Sequence, residues 1–185
     1  LDVNGDAARP AKKPSRELLG YVRSGLAYLD RYGGPAARLR RSLARRARRK
    51  GLEAAEAEEM IQAAMAEIER LGVLDDVAFA RGKASALRRR GASRRGAMAK
   101  LQATGLDAAT AEAALAEHDE NFGPEGDPER AAARRYAERR RLGPWRTIPE
   151  TRAERRERDI AAMARAGFPV RLAIAVIEGT DTDDD

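Results

Sequence analysis

Residues 70–106 read RLGVLDDVAFARGKASALRRRGASRRGAMAKLQATGL. The stretch opens with an apolar turn closed by two aspartates, Asp75 and Asp76. Ala80, Ala84 and Leu87 then fall at i, i+4 and i+7, one face of a 3.6-period helix that Asp75 or Asp76 is placed to cap. Gly91 breaks this helix, and Ser93 caps a second one that stops at Thr104-Gly105-Leu106. Asp107 caps a third helix, acidic this time, to about residue 117. Between Asp76 and Asp107 there are eight basic residues (Arg81, Lys83, Arg88, Arg89, Arg90, Arg94, Arg95, Lys100) and no acid.

The same order of helices is visible on both sides. Upstream, Leu19, Val22, Leu26 and Leu29 mark a helix over 17–32 that Ser15 can cap and Gly33-Gly34-Pro35 ends. A basic helix over 36–50 keeps Leu39, Leu43 and Ala47 as an apolar stripe, and Gly51 suits the left-handed position past its end. The helix over 53–71 sets Ala57, Ile61, Ala64, Ile68 and Leu71 on one face and six glutamates elsewhere. Downstream, Asp127-Pro128-Glu129 gives an N-cap, a proline in the first turn and an acid that suits the helix dipole. That helix runs to about 142, the turn Gly143-Pro144-Trp145 follows, and helices over 150–166 and up to 177 flank Gly167-Phe168-Pro169.

Counting from Gly51, Gly105 and Gly167 exposes a repeat. One residue on stand Leu52, Leu106 and Phe168; six on, Ala57, Ala111 and Ala173; ten on, Ile61, Leu115 and Ile177. Four before stand Ala47, Leu101 and Met163; seven before, Ala44, Met98 and Ile160. These columns predict an all-α fold of tandem three-helix repeats. Units this small bury each other's faces, so the expected body is an elongated, curved helical array, its hand left open. The expected divisions are a disordered leader at 1–16, repeats at 17–71, 75–118 and 127–179, and an acidic disordered tail at 180–185.

Composition agrees with helices. Only 4% of the 185 residues are aromatic, and Ala, Arg, Leu and Glu, good helix formers, dominate. The net charge is +6, which favours an anionic partner. A GC-rich genome would also enrich Arg, which outnumbers the five lysines heavily. Codon bias does not explain why basic middle helices alternate with acidic third helices. With no cysteine, thiolate zinc sites and disulfides are excluded. No membrane span or secretory signal is visible, so the expected location is the cytoplasm, with no membrane partner.

Catalysis finds no support in the residues. His118 stands at a polar helix end beside Glu117 and Asp119, and the paired acids Asp75-Asp76 read as helix caps. We therefore expect no enzyme, no cofactor, no metal and no small-molecule substrate. A helix-turn-helix over 76–104 is disfavoured, because its second helix holds Gly96 and no Asn or Gln before Gln102. The arginine-rich helices remain. They can hold phosphates bidentately, dock on acidic protein, or pair with the chain's own acidic third helices.

Leu71-Gly72-Val73-Leu74-Asp75-Asp76 with Phe79-Ala80, the basic Leu87-Arg88-Arg89-Arg90-Gly91, then Arg94-Arg95, Leu101 and Thr104-Gly105-Leu106 resemble the RecX family of RecA regulators. The flanking repeats extend the resemblance over about 17–179. It implies a protein that binds the RecA filament on single-stranded DNA and inhibits recombinase and ATPase activity in DNA repair and the SOS response. Gly96 departs from the stiffer residue expected in a central helix. The first-choice filament or DNA contacts are Arg88, Arg89, Arg90, Arg94 and Arg95, followed by Arg45, Arg46, Arg48 and Arg49. Acids at Glu138, Glu154 and Glu157 argue against a share for the third repeat. The alternatives are a direct, non-specific DNA-binding helical protein and a helical scaffold for another protein.

Overall fold

A computed structural model describes residues 15–122 and 126–180. The expected leader before Ser15 and the acidic tail beyond Thr180 lie outside these residues. Among the described residues there are nine α-helices and no strand: α1 Arg16–Tyr32, α2 Ala36–Lys50, α3 Ala54–Arg70, α4 Asp76–Arg89, α5 Arg94–Thr104, α6 Ala108–Glu120, α7 Pro128–Arg140, α8 Arg152–Arg165 and α9 Val170–Glu178. The fold is all-α, as the periodicity predicts. Short 3-10 turns at Gly143–Trp145 and Pro149–Thr151 stand between α7 and α8.

Side-chain caps begin the helices where the sequence placed them. Ser15 accepts from the Leu18 N–H at 3.1 Å, Asp75 from Ala78 at 2.8 Å, Ser93 from Gly96 at 3.0 Å, Asp107 from Thr110 at 2.8 Å and Asp127 from Glu129 at 2.8 Å. Each satisfies one of the N–H groups a helix start leaves open, worth about 1 kcal/mol. Asp76 does something else. Its Oδ1 accepts from the Ala36 N–H at 2.9 Å, so the second aspartate of the pair satisfies the first turn of α2.

The glycines that set the repeat count all adopt left-handed backbone: φ is 74° at Gly51, 106° at Gly105 and 96° at Gly167. At the first and third, the next residue's N–H reaches back over the turn, Leu52 to the Ala47 carbonyl and Phe168 to that of Met163. This Schellman closure explains why small, Gly and large apolar recur together. The column ten residues on is buried throughout (Ile61, Leu115, Ile177), as is the column four before (Ala47, Leu101, Met163).

The chain divides into two compact units. The first, whose described part is 15–33 and Leu39–Leu74, packs α1 on α3. Its core is built from Tyr21, Val22, Leu39, Leu43, Ile61 and Ile68. Gly25 lets the helices approach, since a Cβ there would collide with Ile68. The second comprises Gly34–Arg38 and the described residues from Asp75 to Thr180. It holds two apolar clusters. Leu101, Leu106 and Leu115 centre the one on α4–α6, and Met163, Phe168 and Val176 the one on α7–α9.

The two clusters of the second unit meet across close backbone contacts. A Cβ on Gly91 would lie 2.7 Å from the Tyr136 nitrogen and 2.9 Å from the Ala132 carbonyl oxygen. Ser93 donates its hydroxyl to the Ala166 carbonyl at 2.6 Å. Gly96 lies under the same turn: a Cβ there would stand 3.0 Å from the Ala166 oxygen. The glycine expected to weaken α5 is therefore what lets the start of α5 reach the end of α8.

Candidate nucleic-acid interface

An arginine on a helix faces one direction only, and 3.6 residues per turn send neighbours in a run to different sides. The structure sorts the basic residues accordingly.

Arg88, one of the first-choice contacts, points inward. It is 2% exposed and joins three elements. Its Nε and Nη2 donate to Asp119 on α6 at 3.3 and 3.2 Å, and its Nη1 donates to Glu129 on α7 at 2.6 Å and to the Ala92 carbonyl at 2.9 Å. Arg94 belongs to the same network. Its guanidinium pairs with Glu112 and Asp119, and its backbone N–H donates to Glu129 at 2.9 Å. Partial burial works against the Arg94 charge, but the two carboxylates outweigh it and raise its pKa. An external contact is closed to Arg88, and Arg94 is committed to carboxylates, so neither belongs to the exposed set. Arg89 and Arg95 are exposed, and Arg89 donates only to Ser85, at 2.9 Å.

Pairing with carboxylates on the third helix of each group is widespread. Arg40 pairs with Glu58, Arg81 with Glu117 at 2.6 Å, and Arg156 with Glu178. On α2, Arg46 lies over the Tyr21 ring, its guanidinium carbon 5.2 Å from the centroid, which takes it out of the exposed set as well. Lys50 sits 5.6 Å from the same ring and pairs with Glu17 at 3.1 Å. Arg45, Arg48 and Arg49 are exposed and carry no ion pair among the described residues.

The second unit holds an open groove of about 970 Å³ between α5, α7 and α8. Arg90, Lys100, Arg139, Arg140 and Arg165 line it, all exposed, and among the described residues no carboxylate does. Its floor is made of small residues, among them Gly91, Ala92, Gly96, Ala99 and Ala162. Tyr136 forms part of the wall, with the Arg140 guanidinium 5.7 Å from its ring centroid and Phe168 tilted against it at 5.4 Å. His118 adds no charge to this set: burial, then the field of Arg88, Arg89 and Arg135, holds its pKa below the ordinary value, against the pull of Asp119.

Of the groove's cations, the sequence reading chose only Arg90. It set the third repeat aside because of Glu138, Glu154 and Glu157, yet Arg139, Arg140 and Arg165 come from that part of the chain. A usable signal was present. Arg90, Arg139, Arg140 and Arg165 all sit at helix C-terminal ends just before a turn. Helix dipoles favour cations there by about 0.3–1 kcal/mol. The dipole does not account for Lys100, which lies before the last turn of α5.

Comparison with known proteins identifies relatives along nearly the whole chain. It is 38% identical over 175 residues to the regulatory protein RecX of Myxococcus xanthus strain DK1622, covering 92% of this chain and 91% of that protein. It is 29% identical over 183 residues to the regulatory protein RecX of Agrobacterium fabrum, covering 97% and 93%. No family model matches, and no solved structure matches. The motif at 71–80 is intelligible in the same terms, since its two aspartates start two different helices. On this similarity, the chain belongs to the RecX family of regulatory proteins.

Proposed function

We propose that this protein binds the filament that RecA forms on single-stranded DNA and inhibits its recombinase and ATPase activity, as a cytoplasmic regulator in DNA repair and the SOS response. The observation that carries this reading is the 38% identity to a RecX protein across 92% of the chain. The action is binding without chemistry. Exposed cations without carboxylate partners among the described residues make the contacts: Arg45, Arg48 and Arg49 on α2, Arg89 at the end of α4, Arg95 on α5, and the groove set. Arg88 and Arg94 join α4, α5, α6 and α7 of the second unit instead. Several weak contacts on one chain raise avidity when the partner is a repeating polymer.

The test is DNA-dependent ATP hydrolysis by RecA, titrated with this protein below the RecA concentration, with bare-DNA binding measured at the same salt. Inhibition at a small fraction of the RecA present, without coating of the DNA, is the expected result. No inhibition, or inhibition only when the protein saturates the DNA, would remove RecA from the account and leave a direct nucleic-acid binder.

A further inference from the structure

We propose that the groove between α5, α7 and α8 is a binding site for the sugar–phosphate backbone of single-stranded nucleic acid. This deepens the regulator reading by assigning the nucleic-acid side of the filament to one surface, and it can stand or fall without RecA.

Charge is sorted within this unit: Arg81, Arg88, Arg94, Arg146 and Arg156 are neutralised by carboxylates, whereas Arg89 and Arg95 are exposed without one among the described residues. The five in the groove have no carboxylate partner among the described residues either, although Glu138 is adjacent to Arg139 in sequence, and they converge on one concave surface. Their charge is left for an external anion. Four of the five are arginines, whose planar fork matches phosphate bidentately.

The shape points the same way. At about 970 Å³ the groove matches the upper end of small-ligand sites, roughly 300–1,000 Å³, so it holds more than a single ion. Its small residues Gly91, Ala92, Gly96, Ala99 and Ala162 let a chain lie close between the apolar side chains of Leu87 and Leu142. The concavity belongs to the protein. Duplex DNA is read by an element entering its own groove, whereas a single strand is tracked by a basic channel with aromatic contacts. Arg140 lies against the Tyr136 ring, so an unstacked base can pack on the outer face of its guanidinium.

The groove floor adds nothing for sequence readout. The Ser93 hydroxyl on the floor is already used, donating to Ala166 and accepting from Gly96. Ser93 is thereby closed to bases, and the cations that remain address backbone charge.

The experiment measures binding of a fluorescent oligothymidylate to the full chain at several salt concentrations. The groove variant Arg90→Gln/Arg139→Gln/Arg165→Gln is compared with Arg40→Gln/Arg81→Gln/Arg156→Gln, which loses the same charge from exposed, ion-paired positions. Wild type is expected to show a log–log salt slope near −3.5 if all five cations meet phosphates, and the groove variant a slope smaller by about 2. Affinity should fall at least tenfold for the groove variant and less than threefold for the control. Helicity by circular dichroism verifies that both variants fold, and Arg165→Glu alone supplies a second groove variant of opposite charge. Equal losses in the two triple variants, or polyglutamate displacing the oligonucleotide at equal charge concentration, would overturn the site. RecA ATPase inhibition is measured in parallel. Inhibition by wild type with unchanged oligonucleotide binding in the groove variants sinks the groove and leaves the regulator. Groove-dependent binding without inhibition does the reverse.

Discussion

Arg88 and Arg90 stand two residues apart and meet opposite surroundings. Arg88 is buried against Asp119 and Glu129, and Arg90 is exposed on a groove without a carboxylate. Two residues along an α-helix turn the side chain by more than half a circle, so a run of three arginines cannot present one face. The second unit thus has two basic regions with different work. In one, arginines are the cement between α4, α6 and α7. In the other, they are a surface whose charge the protein leaves unanswered. The difference teaches that the number of arginines in a run says little about binding, whereas the positions of the acids decide it.

Breaking the first region should give the largest effect. Arg88→Ala leaves the partly buried carboxylate of Glu129 without its cation and Asp119 with Arg94 alone. Removing one partner of a buried pair costs about 3–5 kcal/mol, and we expect a loss in that range by urea denaturation. Arg90→Ala under the same conditions should stay within about 0.5 kcal/mol of wild type, as surface substitutions do. Equal effects of the two would erase the distinction between the regions.

The second effect in size acts on the boundary between them. Gly91 separates the inward residue from the groove, with φ of 76° and the backbone of α7 against its missing side chain. Gly91→Ala carries the cost of left-handed backbone and a clash that only a shift of α7 relieves. We expect a destabilisation of about 2–4 kcal/mol, combining left-handed strain with overpacking. Because the shift moves Tyr136, oligonucleotide binding should weaken in this variant by more than it does in Arg90→Ala.

The helices were legible in the sequence because their causes are local. Ser15, Asp75, Ser93, Asp107 and Asp127 each cap the helix that follows within three residues. Gly51, Gly105 and Gly167 each close the helix just before them. The run 88–95 was legible as a concentration of charge, and pairing with the acidic third helices was a possibility that composition could pose. Its outcome was not readable. Arg94 meets Asp119 across 25 residues, and Arg88 meets Glu129 across 41. Charge runs carry no record of such distant partners. The groove was missed for the same reason, since its lining comes from α5, α7 and α8, and acids nearby in sequence point elsewhere.

The run Arg139-Arg140-Arg141 repeats the comparison in the third group of helices, with a smaller consequence. Arg139 and Arg140 line the groove, whereas Arg141 ends α7 with φ 53° and ψ 51°. It is the only non-glycine with positive φ among the described residues. Its N–H bonds to the Glu138 carbonyl and the next N–H, of Leu142, to that of Ala137, the closure made elsewhere by glycine. Arg141→Gly should therefore raise stability by about 0.5–1 kcal/mol, seen as a higher melting temperature, with oligonucleotide affinity unchanged. A large loss of affinity would place Arg141 in the binding surface and widen the groove set.

The smallest effect is the sharpest on purpose. Five like charges around one groove repel each other, so the folded state bears a cost that a neutral lining would not. Exposed charge pairs are worth only tenths of a kcal/mol, and salt screens them over about 10 Å at 0.1 M. Lys100→Gln, which gives up no helix-dipole contact, should therefore gain about 0.2–0.5 kcal/mol at low salt, and the gain should vanish by about 0.5 M, whereas at Arg139 and Arg165 the dipole offsets it. The Arg88 network, shielded from solvent, should respond to salt far less. A groove lysine that costs stability is kept for what it binds. If Lys100→Gln instead loses stability at low salt, Lys100 has an internal partner and serves the fold, as Arg88 does.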